Sequence, residues 1–254
     1  PLVCGNIKGL QDRYRNPTTQ ESFAREWGQT PSMVTSFADG TKISFEQAIV
    51  ANATGMTIAE RGMTGMDYHG HVDDLVDRYD PGRLRELGGV VDYVVGAQPS
   101  PGVYVFAEAQ DHTQAHYLRY GKLGDGPLYS FYVPYHLTVF EAPLTVARVV
   151  ELGDVAIAPA EGPQVDVVTA AKVDIEAGTT IDGLGGYMTY GLCETYETTR
   201  SEGLLPIGLA EGSVLRRDVS KDELFHVEDV DHPQNTLIHR LREEQDALFD
   251  GART

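Results

Sequence analysis

"YGKLGDGPLYSFYVPYHL", residues 120–137, sets a charged, glycine-rich turn directly before an aromatic strand that ends in Pro-Tyr-His. Gly121, Gly124 and Gly126 permit a sharp turn with positive φ and a close backbone approach. Pro127 fixes the exit, and strand alternation then puts Tyr129, Phe131 and Val133 on one face. The turn has two readings. Its successive N–H groups, with Lys122, form an anion cradle, or it is a tight hairpin feeding a sturdy aromatic strand. His136 and Glu141 beyond it serve as acid, base or metal ligand if they turn into a cleft; otherwise His136 is a satisfied core histidine.

Other strands flank this one. "GVVDYVVG" (89–96), "GVYVFAEA" (102–109) and "PLVCG" (1–5) read as strands, the last one buried. "DHTQAHYLRYG" (111–121) is a short helix or a strand. Thr18 and Glu21 stand at capping-box spacing, which predicts a helix from Thr19 to Gly28 with Phe23, Ala24 and Trp27 on its apolar face. "SMVTSFADGTK" (32–42) ends in an Asp-Gly turn. Ser44 and Gln47 form a second box before Phe45, Ala48, Ile49 and Ala53, and Gly55 closes that helix. Residues 57–85 are loop-rich. "APLTVARVVELG" (142–153) has Pro143 near a helix start, with Leu144, Ala147 and Val150 on one face and Val146 alongside.

Proline and glycine at 159–163 mark a domain boundary. Residues 164–231 are short strands with glycine turns, the pattern of a compact β domain. Pro233 opens a C-terminal helix whose Leu237, Ile238, Leu241, Leu248 and Phe249 make an apolar face. The fold class is therefore α+β: a central mixed α/β domain, then a small β domain and a terminal helix.

The chain has 254 residues, 41% hydrophobic and 23% charged, ordinary values for a globular protein with a real core. It starts on Pro1 in what reads as mid-strand, so it is expected to be one piece of a longer protein, or else to have a trimmed terminus. The formal charge of −18 repels phosphate backbones and anionic lipid, which argues against nucleic-acid and membrane partners. Cys4 and Cys193 make neither a zinc cluster nor a disulfide framework, so a reducing cytoplasm is expected.

Three other places carry chemistry. "GNIKG" puts Lys8 right after a strand, where catalytic groups gather; it polarises a carbonyl or holds a phosphate, or it is a solvated loop lysine. "YHGHVDD" offers His69 and His71 two apart, with Asp73 and Asp74 nearby. That is half a metal site, or an aspartate-rich helix N-terminus with exposed histidines. Asn52 reaches a substrate by its amide, or caps its helix. No G-x-G-x-x-G, Walker A, G-x-S-x-G or H-E-x-x-H string occurs. Any dinucleotide fingerprint is therefore expected upstream of Pro1.

"GNIKGLQDRY", "TSFADGTKISFEQAIVANATG" and the stretch from Tyr120 to Val150 resemble a bacterial family of NAD(P)-dependent oxidoreductases. Its members are labelled homoserine dehydrogenase-like proteins with a C-terminal SAF domain. One branch is the 1-deoxy-D-xylulose 5-phosphate reductoisomerase-like enzymes of isoprenoid precursor synthesis. "AAKVDIEAGTTIDGLGGYMTYG" and "LPIGLAEGSVLRRDVSKDELFHVEDVD" resemble the SAF domain, a β-clip fold. The resemblance implies that residues 1–5 are the last strand of a missing Rossmann domain. It implies a catalytic domain over 6–158, a SAF domain over 164–232 and a helix over 233–254.

It further implies NADP, bound by the upstream domain, and a small carbonyl substrate. In the reductoisomerase version a divalent metal such as Mg or Mn joins them, held by Asp125, Glu141 and Glu108. His136 would then transfer protons, with Lys8 and Asn52 orienting substrate oxygens. Val133 departs from the arginine or threonine that the family places before "PYH", which weakens phosphate binding from that position. The chain lacks the Arg-Lys helix of typical homoserine dehydrogenases, which favours the reductoisomerase-like branch. A homo-oligomer is expected. A SAF-type binding module without catalysis, and a sugar-acid lyase or hydratase, are the alternatives.

Overall fold

The computed structural model describes residues 1–135, 138–159, 162–233 and 236–250. In chain order the elements begin with β1 (Val3–Lys8), α1 (Glu21–Trp27), α2 (Pro31–Ala38), α3 (Thr41–Thr54) and β2 (Met66–Asp67). A 3₁₀ helix (Val72–Arg78), α4 (Pro81–Glu86), β3 (Val90–Val95), β4 (Gly102–Glu108), α5 (His112–Tyr120), β5 (Leu128–Val133) and α6 (Thr138–Leu152) follow. Then come β6 (Val165–Ala171), β7 (Thr189–Thr195), α7 (Tyr196–Glu202), β8 (Val214–Leu215), β9 (Val230–Asp231) and α8 (Leu237–Asp250).

These elements make two units, one from Pro1–Leu10 and Ile49–Glu161, the other from Gln11–Ala48 and Gly162–Thr254. The first unit is built on a mixed five-stranded sheet, order β2-β3-β1-β4-β5. β3 runs parallel to β1 and β2, while β4 is antiparallel to both β1 and β5. So β1, β2, β3 and β5 all point one way, and only β4 opposes them.

Register decides the two faces. Val3, Gly5 and Ile7 align with Val90, Asp92 and Val94 on one side and with Phe106, Tyr104 and Gly102 on the other. This face is dry: Val72, Leu75 and Leu84 pack on it with Val3, Ile7, Val90, Val94, Tyr104, Phe106 and Leu128. Gly5 is required there, because a Cβ would run into the Tyr104 ring. The opposite face carries Cys4, Asn6 and Lys8 of β1 and Val103 and Val105 of β4, all half-buried, and Phe131 and Val133 of β5, both exposed.

In the second unit β6 and β7 pair antiparallel from Val165↔Thr195 to Ala171↔Thr189. Short bridges such as Ile175↔Val219 and Thr180↔Val214 wrap the chain around a core of Ala171, Ile181, Leu205, Val219 and Phe225. Residues 11–48, expected within the 6–158 region, cluster here. Hydrogen bonds tie them in: Gly191 N donates to Thr41 Oγ1 at 3.0 Å, and Ser44 Oγ donates to Gly191 O at 3.0 Å. Buried Lys172 joins them further, 2.8 Å from Asp39 Oδ2 and donating to Gly186 O at 2.8 Å.

Several helix starts differ from the sequence reading. Thr18 does not cap α1: its hydroxyl meets Tyr187 at 2.9 Å, and α1 begins at Glu21 with no side-chain cap. An unforeseen helix, α2, fills the stretch before Asp39-Gly40, with Thr30 Oγ1 accepting from Met33 N at 3.3 Å and Pro31 in first position. α3 begins three residues before Ser44, because Asp39 Oδ1 accepts from Thr41 N at 2.8 Å and supplies the cap. Pro143 lies inside α6 rather than at its start, and no α6 residue is buried. Among the described residues no helix is long and apolar enough to cross a membrane.

Candidate functional site

β1 alternates, so Asn6 and Lys8 stand on the half-open face, two positions apart, about 7 Å along the strand. Lys8 closes β1 at the carboxyl edge of the parallel strands, the edge where α/β sheets place their ligands. Its ammonium lies 6.0 Å from the centre of the Tyr93 ring, on the neighbouring strand. Its carbonyl accepts from Gly96 N at 2.8 Å.

That contact brings a histidine close. Gly96 has φ +90°, and a Cβ on it would sit 2.6 Å from His69 Nδ1. Glycine is needed because a side chain would displace the imidazole. His71 follows, bridging Gln98, with its ring edge-on to Tyr132 at 5.2 Å. His71 Nδ1 accepts from Asp73 N at 3.2 Å and so caps the 3₁₀ helix, with Asp73 and Asp74 in its first turn. His69 and His71 thus reach the same edge of the sheet as Lys8, with His71 on the Tyr132 face, opposite the one that carries Asn6 and Lys8.

Beneath it lies a buried polar network. Asp92 Oδ1 accepts from Gly65 N at 2.9 Å and from Tyr93 N at 2.8 Å, and Oδ2 accepts from Tyr79 OH at 2.9 Å. The Tyr79 and Tyr104 hydroxyls meet at 3.3 Å. Burial raises the Asp92 pKa, against the lowering by these N–H groups and by the Tyr79 and Thr64 hydroxyls. Burial first, then the neighbouring acidic groups, pushes both tyrosines far above their ordinary range. The network links β3 to β4 across Gly5 of β1, on the face opposite Asn6 and Lys8.

The other expected site residues lie elsewhere. β5 separates the glycine turn from Pro134 by its whole length, about 17 Å, so the turn and the Lys8 edge are at opposite ends of the sheet. Asp125 sits in that turn, mostly exposed and 2.9 Å from Arg119. Positive φ at Lys122, Gly124 and Gly126 makes the turn sharp. It walls a groove of about 470 Å³ that also contains Asp77, and these two carboxylates oppose an anion there.

Glu108 ends β4 at the same far edge and is held by a two-pronged ion pair from Arg85, with contacts of 2.9–3.1 Å. Glu141 lies in the first turn of α6, beyond the other end of β5. Asp125, Glu108 and Glu141 are therefore not gathered into a ligand set, and among the described residues no three His, Cys, Asp or Glu side chains form one. Asn52 is on the last turns of α3, which lead to Thr57 and its bridge to Val90 at the start of β3. His136 lies outside the described residues.

Residues 1–142 match the family model for the catalytic domain of the oxidoreductase DRL. The chain belongs to this oxidoreductase family. No curated protein matches it. The matched stretch of this DRL-family chain contains the whole five-stranded sheet and the Lys8 edge.

The sequence analysis singled out Lys8, His69 and His71 but not Asn6. The signal for Asn6 was present, since a period of two puts it on the Lys8 face. A lone aspartate in "VVDYVV" likewise signals a buried polar network. The meeting of His69 with Gly96 had no local signal, as it arises where β3 ends beside the loop after β2.

Proposed function

We propose that this chain carries the substrate half of an NAD(P)H-dependent oxidoreductase that reduces a small carbonyl compound. The observation that supports it most is Lys8, at the carboxyl edge of β1 on a half-open sheet face, inside the stretch matched as an oxidoreductase catalytic domain. The Lys8 ammonium and the Asn6 amide are donors on one face. They hold the carbonyl oxygen and stabilise the negative charge that grows on it. Lys8 then gives that oxygen a proton. Val103, Val105, Phe131 and Val133 offer an apolar surface beside these donors that suits a flat ring. The nicotinamide supplies the hydride when bound.

Within this reading we place the substrate among 1-deoxy-D-xylulose 5-phosphate-like ketoses, with a homoserine dehydrogenase-like reaction on aspartate semialdehyde as the alternative. No step is routed through a metal, because Asp125, Glu108 and Glu141 stand apart. The test is NADPH absorbance with each substrate, with and without magnesium, for the wild type and Lys8→Met. Consumption that falls about 100-fold or more in Lys8→Met supports the reading. Consumption unchanged in Lys8→Met sinks the role of Lys8, and no consumption with either substrate discards both. Dehydration of a sugar acid without NADPH would mark a lyase instead.

A further inference from the structure

α6 stands open: none of its residues is buried. Val139, Phe140, Leu144, Val146 and Val150 are each 62–73% exposed. Such a helix does not hold itself together. Its 15 residues are marginal for an isolated helix in water, and they include Pro143 and four valines, whose branched side chains lose freedom in a helix. Helices of this kind are stabilised by packing an apolar face. α6 therefore calls for a cover that the described residues do not supply.

The pattern on α6 narrows what that cover is. Val139, Pro143, Val146 and Val150 are spaced 4, 3 and 4 apart, the stripe that one helix presents to another. A groove of about 700 Å³ runs along it, lined also by Ala142 and Ala147. Glu141, Thr145 and Arg148 share the opposite side of the helix. The spacing of the stripe reads the same in both directions, so it is complementary to itself under a two-fold rotation, as an isologous interface requires. The apolar side chains of α6 leave open on the order of 700 Å², close to the roughly 800 Å² that each partner buries in a stable interface and more than an ordinary surface patch. β5, which precedes α6 in the chain, ends the sheet, and among the described residues no strand pairs its outer edge. An identical strand is what such an edge accepts.

A membrane surface fits less well. Helices that lie on anionic lipid carry Lys and Arg along the polar side, whereas that side of α6 sets Arg148 against Glu141, on a chain of net charge −18. We propose that α6 is a self-association surface, whose stripe of Val139, Pro143, Val146 and Val150 packs against the same stripe of a second copy of this chain about a two-fold axis. The middle of the stripe lies between Pro143 and Val146, so the axis brings Val146 beside its own copy.

Sedimentation velocity of the intact protein tests this, with circular dichroism to verify the fold of each variant. The wild type should be a dimer with a Kd of about 1 μM or tighter. Val146→Glu, at a position 62% exposed in the single chain, should keep the fold and raise Kd about 100-fold or more, because it sets two like charges in a dry seam. Val146→Lys should do the same, and an equimolar mixture of the two variants should recover a dimer within about tenfold of the wild type. Val146→Cys serves if the charged variants do not fold: oxidation with diamide should link two chains at that position, since Cys4 is half-buried and Cys193 buried. A wild type that stays monomeric at all concentrations would overturn the proposal. So would a dimer unchanged by Val146→Glu, a mixture of the charged variants that stays monomeric, or no link through position 146. Flotation of the wild type with vesicles of phosphatidylcholine and phosphatidylserine, abolished by Val146→Glu, would assign the stripe to lipid instead.

Discussion

Replacing Asp92 by Asn tests the network under the site. Asp92 is 1% exposed, and burial holds its pKa above the ordinary carboxylate value. Its proton is thus bound more tightly in the folded chain than in the unfolded one. Below the ordinary value, near 4, both states are protonated and the contribution to stability is complete. As pH rises through the raised folded value, that contribution is lost. Over this window the wild type should lose up to about 1.4 kcal/mol of stability per pH unit from this one group.

Asn keeps the shape: its Oδ1 still accepts from Gly65 N and Tyr93 N, and its amide can donate to the Tyr79 oxygen. Asp92→Asn should therefore fold without this slope. Urea unfolding followed by circular dichroism, from pH 4 to pH 7.5, gives the stability difference between wild type and variant. That difference should shift in favour of the variant as pH rises. Other titrating groups are common to both proteins and cancel. A difference flat with pH, or one that grows in favour of the wild type, would refute the reasoning. Asp92→Ala should do worse at every pH, because two backbone N–H groups lose their acceptor at about 1–3 kcal/mol each.

Other outcomes follow from single contacts. Gly96→Ala forces a side chain into positive φ and against His69, so it should cost about 1–3 kcal/mol by thermal unfolding and lower kcat/KM along with stability. Lys172→Met strands the Asp39 carboxylate in the second unit and should destabilise by about 3–5 kcal/mol, with part recovered in Lys172→Met/Asp39→Asn by the same denaturation assay. Thr30→Ala removes the cap of α2 and should cost about 1 kcal/mol without changing activity.

Local chemistry fixed much of this protein. Period-two burial specifies β1 and β4, which each bury one face, and a continuous apolar run specifies β3, which is buried on both. Gly124 and Gly126 supply positive φ in the sharp turn before β5 as the sequence indicates, whereas the third such position is Lys122 and not Gly121. The position of Lys8 after an apolar run identified the end of a strand, which is where its function is proposed. Helix caps were less legible, because a Ser or Thr at the right spacing competes with every other nearby acceptor: Asp39 displaced Ser44, and Thr18 turned to Tyr187. Only the tertiary structure decided which candidates meet. Strand order and register are long-range choices, and they sent Asp125 and Glu108 to one edge of the sheet and Lys8 to the other. Pairing β3 beside β1 brought Gly96, and with it His69, to Lys8. A sequence records which side chains alternate on a strand, but the hydrogen bonds that choose a strand's neighbour look alike in every backbone.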